Sequence, residues 1–336
     1  MRRTLLAALG AGTLAHTLTG SLPALAQQPG KIWRVGVLAD TGPQSVPGLA
    51  LQRGLRQGLR EAGYAEGKNL VIEWRFADLD AERLKGSADE LVRLKVDVIV
   101  AGNTTATHAA LKATTTLPIV MAQSGDPVGS GFAKSLAKPG GNVTGLSNIS
   151  PEIGAKMLEM LLEITAAKAP RLSRVAVLIN PDNSSNRLML QHIQAAVGIT
   201  RSKIIPLEAR TAAALATAFA TLTRERGEAL IVARDSLFAQ QALELATRTA
   251  QLRLPAAAGN RDFSEAGGLM SFGPKRTDWY RRVAMYVDRI FKGAKPADMP
   301  IEQPTLFELL INGKTARTLG LKIPQSLLLR ADGVIE

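Results

Sequence analysis

Residues 117–147 read LPIVMAQSGDPVGSGFAKSLAKPGGNVTGLS, and here the chain passes from one half of itself into the other. The stretch opens as a short apolar strand, residues 117–121, followed by a polar loop with Asp126, Pro127 and several glycines. After the apolar turn 132–136, the Pro139-Gly140-Gly141-Asn142 turn delivers a second strand, residues 143–147. Proline and glycine clusters between apolar runs mark turns between strands.

Working back from it, residues 32–38 (IWRVGVL) form a first predicted strand that ends at Asp40-Thr41-Gly42-Pro43. Leu51, Leu55, Leu59 and Ala62 then recur at helical spacing, with Gly63 where a left-handed C-terminal residue is wanted. Residues 70–76, 80–95 and 96–101 read as strand, helix and strand. Runs such as VDVIVA (96–101) and LPIVMA (117–122) are apolar almost throughout, as strands are when helices cover both faces of a parallel sheet. In such sheets ligands meet the loops beyond the carboxyl ends of the strands. That rule selects Asp40 and Thr41, the 102–105 turn with Thr104 and Thr105, and Ser124 in the 123–126 loop. Thr104 or Thr105 is expected to cap the helix that follows, whose first-turn amides suit an anion.

Working forward, the same pattern returns. RVGVLAD (34–40) is answered by RVAVLIN (174–180), VDVIVAG (96–102) by EALIVAR (228–234), LPIV (117–120) by LPAA (254–257), and 143–147 by 268–272. A series of matches in one order, at domain-sized spacing, indicates two lobes built alike. In the second lobe the equivalent loops hold Asn183, Ser184 and Ser185 after the first strand, and Asp235 after the third, with Asn260 beyond the fourth. Ser236 is expected to cap a helix through Thr247, and a short helix is expected near 307–319.

The chain has 336 residues, a length that suits two ordinary domains. Residues 1–26 have a basic start (Arg2, Arg3), a mostly apolar middle and Ala24-Leu25-Ala26, the layout of a cleaved export signal. Threonines and His16 dilute the apolar run below the ~18–20 residues of a membrane span. Without any cysteine there is no disulfide framework, thiolate metal site or lipid-acceptor residue, so a protein free in the periplasm is expected. Loss of Arg2 and Arg3 takes the formal charge from +12 to +10, and the remaining basic residues are scattered among acids. A nucleic-acid partner would call for a clustered stripe, so none is expected. His108 and His192 lie far apart in sequence without metal-ligand spacing, and there is no GxSxG elbow or Walker loop. No cofactor, no metal and no enzyme activity are expected.

The motifs SGDPVG (124–129), PGGNVTGLS (139–147), GGLMSFG (267–273) and PIEQPT (300–305) with Ile323-Pro324 carry a family resemblance over essentially the whole mature chain. The sequence resembles the substrate-binding proteins of ABC transporters, in particular the members similar to tryptophan- and tyrosine-binding lipoproteins. The resemblance implies an α/β protein of two Rossmann-like lobes, of the type I periplasmic-binding-protein fold, joined by a three-crossing hinge. The expected boundaries are 27–146 plus 270–300 for lobe 1 and 147–269 plus 301–336 for lobe 2, with 143–147 and 268–272 as partnered hinge strands. By the family pattern, Thr104 and Thr105 hold a ligand carboxylate while Ser184, Ser185 and Asp235 complete the grip, Asp235 facing an ammonium. The implied partners are a small solute, such as an amino acid or related carboxylate, and an ABC permease, for a monomeric protein. The chain departs from the lipoprotein members in lacking their cysteine, and Phe238 is the nearest aromatic candidate at the cleft, with a core role favoured for it. A receptor-docking ligand sensor is the alternative function, ahead of an enzyme.

Overall fold

In the computed structural model, which describes residues 31–148, 150–169, 171–200, 202–275 and 279–336, the two predicted halves are two separate sheets. The expected export signal lies outside these residues. The first half runs β1 (Trp33–Ala39), α1 (Val46–Glu61), β2 (Leu70–Phe76), α2 (Ala81–Arg93), β3 (Val98–Ala101), α3 (Thr104–Ala113), β4 (Ile119–Ser124) and β5 (Val143–Ser147). Its strands are all parallel, in the order β2-β1-β3-β4-β5. Both faces are buried, as the apolar runs require. Val35, Val37, Val98 and Val100 pack with Leu51 and Leu55 of α1 on one side, while Ile99, Ala101 and Met121 pack with Leu84 and Leu91 of α2 on the other. A Cβ at Gly36 would meet the Leu91 side-chain tip at 2.9 Å, so the glycine lets α2 pack closely on this strand.

The second half continues with α4 (Ser150–Thr165), β6 (Arg174–Ile179), α5 (Ser184–Thr200), β7 (Lys203–Glu208), α6 (Ala214–Arg224), β8 (Ala229–Val232), α7 (Ser236–Gln240), α8 (Ala242–Gln251), β9 (Ala256–Ala258), α9 (Arg261–Glu265) and β10 (Met270–Pro274). Its order, β7-β6-β8-β9-β10, is that of the first sheet repeated strand for strand. Even the register recurs: Val35 lies opposite Val98, and its counterpart Val175 lies opposite Ala229. The chain then returns to the first lobe as α10 (Trp279–Phe291), whose Val283, Ala284 and Val287 complete the α1 side of that core. It ends in the second lobe with β11 (Phe307–Asn312), α11 (Gly313–Leu319), α12 (Gln325–Arg330) and β12 (Gly333–Ile335). The lobes are thus joined three times, after Ser147, after Pro274 and after Glu302.

The expected boundaries need correction at two of these places. Met270 pairs in parallel with Ala257 and antiparallel with Ile311, so residues 270–274 belong to the second lobe and not to the first. Ile301 packs in the first-lobe core, and the backbone of Glu302 bonds with Gly145 and Ser147, so the first lobe extends to residue 302. The hinge strands also differ from expectation. Residues 143–147 pair with β4 and bridge to Glu302, whereas 268–272 lies in the other sheet; the two are positional counterparts that do not pair. The helix expected near 307–319 is a strand for its first half, because Leu309, Leu310 and Ile311 find partners on β10 that a local pattern does not reveal.

Candidate functional site

The carboxyl ends of β1, β3 and β4 face those of β6, β8 and β9 across one cleft of about 620 Å³. Thr104 enters from the first lobe, and Asn183, Ser185, Asp235 and Asn260 from the second. Asp40 and Thr41 line an adjoining side pocket in the first lobe, so seven of the ten sequence-selected residues meet at the cleft or its extension. Thr105, Ser124 and Ser184 do not.

Each of these three has a different place. The cap of α3 is Asn103, whose side chain accepts from the Ala106 amide at 2.9 Å, so neither threonine caps the helix. Thr104 is instead the first helical residue and points inward, while Thr105 is half-buried outside the cleft. Ser124 is fully buried and donates to Thr104 Oγ1 at 3.3 Å, which also accepts from the Gly125 amide at 3.0 Å. With both acceptor positions taken, the Thr104 hydroxyl has its own proton to offer the cleft. Ser184 reaches sideways to Ser130 of the other lobe at 2.8 Å.

Asp235, and not Ser236, caps α7, accepting from the Leu237 amide at 2.9 Å. The helix expected to run through Thr247 is broken into α7 and α8. The other oxygen of Asp235 accepts from Asn183 Nδ2 at 2.9 Å, and Asn183 in turn holds the amide and hydroxyl of Ser185. Burial pushes the Asp235 carboxyl above its usual range, against the lowering effect of those donors. Burial likewise pushes Asp40 up to about 6, with the negative charge of Asp235 adding to the effect and hydrogen bonds from Asn103 and Ser236 opposing it. Phe238 is 2% exposed and belongs to the second-lobe core.

The lobes are shut on one another. Ser236 Oγ accepts from Asn103 Nδ2 at 2.8 Å and donates to Asp40 Oδ1 at 3.0 Å, so one second-lobe hydroxyl ties two first-lobe side chains. Arg234 donates to Gln123 Oε1 at 2.6 Å, and Gln123 Nε2 donates to Tyr280 at 2.6 Å. Leu79, in the turn before α2, packs against the second-lobe core.

Gln123, Arg234 and Tyr280 line the cleft; Gln123 lies in the 123–126 loop that the strand-end rule selects, where Ser124 is the residue favoured, while Arg234 and Tyr280 were missed by sequence reasoning. Gln123 is turned inward by a bulge: Met121 lies opposite Gly145 but Ser124 opposite Ser147, which leaves one extra residue on β4. Gly145 makes this possible, since its φ of +122° and its approach to Met121 leave no room for a side chain. Tyr280 arrives only after the second crossing, on a helix that packs against α1 at Gly54 and Gly58.

A closed cleft between two α/β lobes of repeated topology is the architecture of a solute-binding protein. The sequence profile described as ABC transporter substrate binding protein matches residues 44–335, and the chain belongs to that family. A conserved domain protein from Vibrio cholerae is 27% identical with a TM-score of 0.82, covering 90% of this chain and 100% of that one. An ABC domain in complex with L-Trp from Streptococcus pneumonia is 25% identical with a TM-score of 0.80, covering 90% and 99%. A tyrosine-binding protein of Clostridioides difficile (strain R20291) is 23% identical over 271 residues, 81% of this chain and 76% of that protein. The fold is that of type I periplasmic binding proteins.

Proposed function

We propose that this chain is an exported substrate-binding protein that captures a free amino acid between its lobes and delivers it to an ABC permease. The observation that carries the reading is the opposition, across one cleft, of an anion-binding element and a buried carboxylate. Asn103 takes up the amide of Ala106, and the amides before it in the first turn of α3 have no acceptor within the helix. Together with the Thr104 hydroxyl they suit a carboxylate. Asp235, on the opposite lobe, supplies the counter-charge for an ammonium. An α-amino acid carries both groups, and closure brings both partners to bear at once. The family membership and the named ligands of two relatives point the same way.

Buried polar groups left unmatched are costly, so a solute with only one of the two charges fits less well. The leader-like residues 1–26 support export. The test is a thermal-shift screen of refolded, ligand-free protein against amino acids, carboxylates lacking an amine, and nucleosides. Binding to the folded state alone stabilises it by about 2.7 kcal/mol at a concentration 100 times Kd. A shift with amino acids and none with the deaminated acids is expected; the reverse, or no shift at all, would overturn the reading.

A further inference from the structure

The cleft does not end at Asp235 and Thr104. It continues into the first lobe as a side pocket of about 260 Å³ that shares Pro47, Asn103, Gln123, Ser236 and Tyr280 with the main cleft. Its other walls are Ala39, Thr41, Leu51 and Gly102, and the one charged residue lining it is Asp40. A pocket of mixed walls with a single carboxylate suits a side chain that carries a donor.

Asp40 is only 8% exposed, yet it sits at the C-terminal end of β1, where nothing in the fold demands a charge. Unlike Asp235, it caps no helix among the described residues. Its side chain accepts from Ser236 at 3.0 Å, with the side-chain amide of Asn103 and its own backbone amide as further donors. A carboxylate has about four acceptor positions, so three donors leave room for one more from the cleft. None of these donors is charged, and burial raises the cost of keeping this carboxylate ionised. A ligand group that donates to it would offset that cost, whereas a hydrocarbon tip would strip away water and give nothing in return.

Resting on the amino-acid reading above, we propose that Asp40 is a specificity-determining residue: it selects amino acids whose side chain ends in an N–H or O–H donor. The α-amino and α-carboxyl groups occupy the main cleft against Asp235 and Thr104, and the side chain extends between Pro47, Leu51 and Tyr280 toward Asp40. A site built to hydrogen-bond such a group rejects the analogue that lacks it more strongly than it rejects a change of one methylene.

The test uses matched pairs that differ only at the tip: tyrosine and phenylalanine, tryptophan and 1-methyltryptophan, lysine and norleucine. Each is titrated by calorimetry into ligand-free wild type, Asp40→Ala and Ser236→Ala. Wild type is expected to prefer the donor-bearing member of at least one pair by about 10- to 100-fold. Asp40→Ala collapses that ratio toward one. Ser236→Ala, which breaks the tie between lobes but leaves the carboxylate, weakens both members alike and keeps the ratio. If Asp40→Ala folds poorly, Asp40→Asn, which still accepts from Ser236, is read with lysine and norleucine, where loss of charge lowers the advantage of lysine. Equal wild-type affinity within every pair overturns this role for Asp40 while leaving amino-acid binding intact. A ratio unchanged in the Asp40 variants does the same. Failure of every amino acid to bind wild type overturns both readings together.

Discussion

Replacing Asp40 by asparagine should make the protein more stable at neutral pH and remove part of its response to acid. Burial holds the Asp40 carboxyl up at about 6 against an ordinary 3.8, with the charge of Asp235 adding to it. A displacement of that size corresponds to about 3 kcal/mol of preference for the protonated form. Because the folded-state value is the higher one, the stabilising contribution is fully present below the ordinary value. It is lost as the pH rises through about 6. Asparagine has no proton to lose, and its carbonyl can still accept from Ser236. Between about pH 4 and about pH 8, the wild type should therefore lose up to about 3 kcal/mol that the variant keeps. The assay is denaturant unfolding of both ligand-free proteins across that range, taken as a difference, so that groups distant from Asp40 cancel. Two curves that stay parallel would refute the claim that this carboxylate is buried at a cost.

Asp235→Ala removes both the partner proposed for the ammonium and the cap of α7, so affinity for an amino acid should fall by about 1.5–3 kcal/mol in calorimetry. Affinity equal to wild type would assign Asp235 to the cap alone. Gly145→Ala forces a side chain into left-handed backbone, with its Cβ at 2.3 Å from the Met121 carbonyl. It should cost more than about 1 kcal/mol and lower the thermal midpoint of unfolding, and an unchanged midpoint would count against the β4–β5 bulge as described.

Much of the fold was legible because its signals are local. Continuous apolar runs such as 96–101 mark strands covered on both faces, Gly63 and Gly293 mark helix ends at φ of +91° and +93°, and the 34–40 and 174–180 pair marks the repeat. The rule that ligands meet the carboxyl ends of parallel strands then located Asp40, Thr104, Asn183 and Asp235 without any contact being known. Capping was less secure, since Asn103 and Asp235 outcompeted the hydroxyls beside them, and a carboxylate or amide at the half-helical position accepts from the first turn at least as well as serine or threonine.

What the sequence determined by itself is the pair of α/β lobes and the loops that face each other, because strand pattern, turn chemistry and repetition are written in neighbouring residues. Only the tertiary structure decided which side chains fill the cleft. Gln123 depends on a bulge set by the approach of Gly145 to Met121, Tyr280 on a crossing that returns the chain to the first lobe, and the ties of Ser236 and Arg234 on closure. These contacts join residues more than 100 positions apart, and no local pattern encodes a distance that arises only when two separately folded lobes meet.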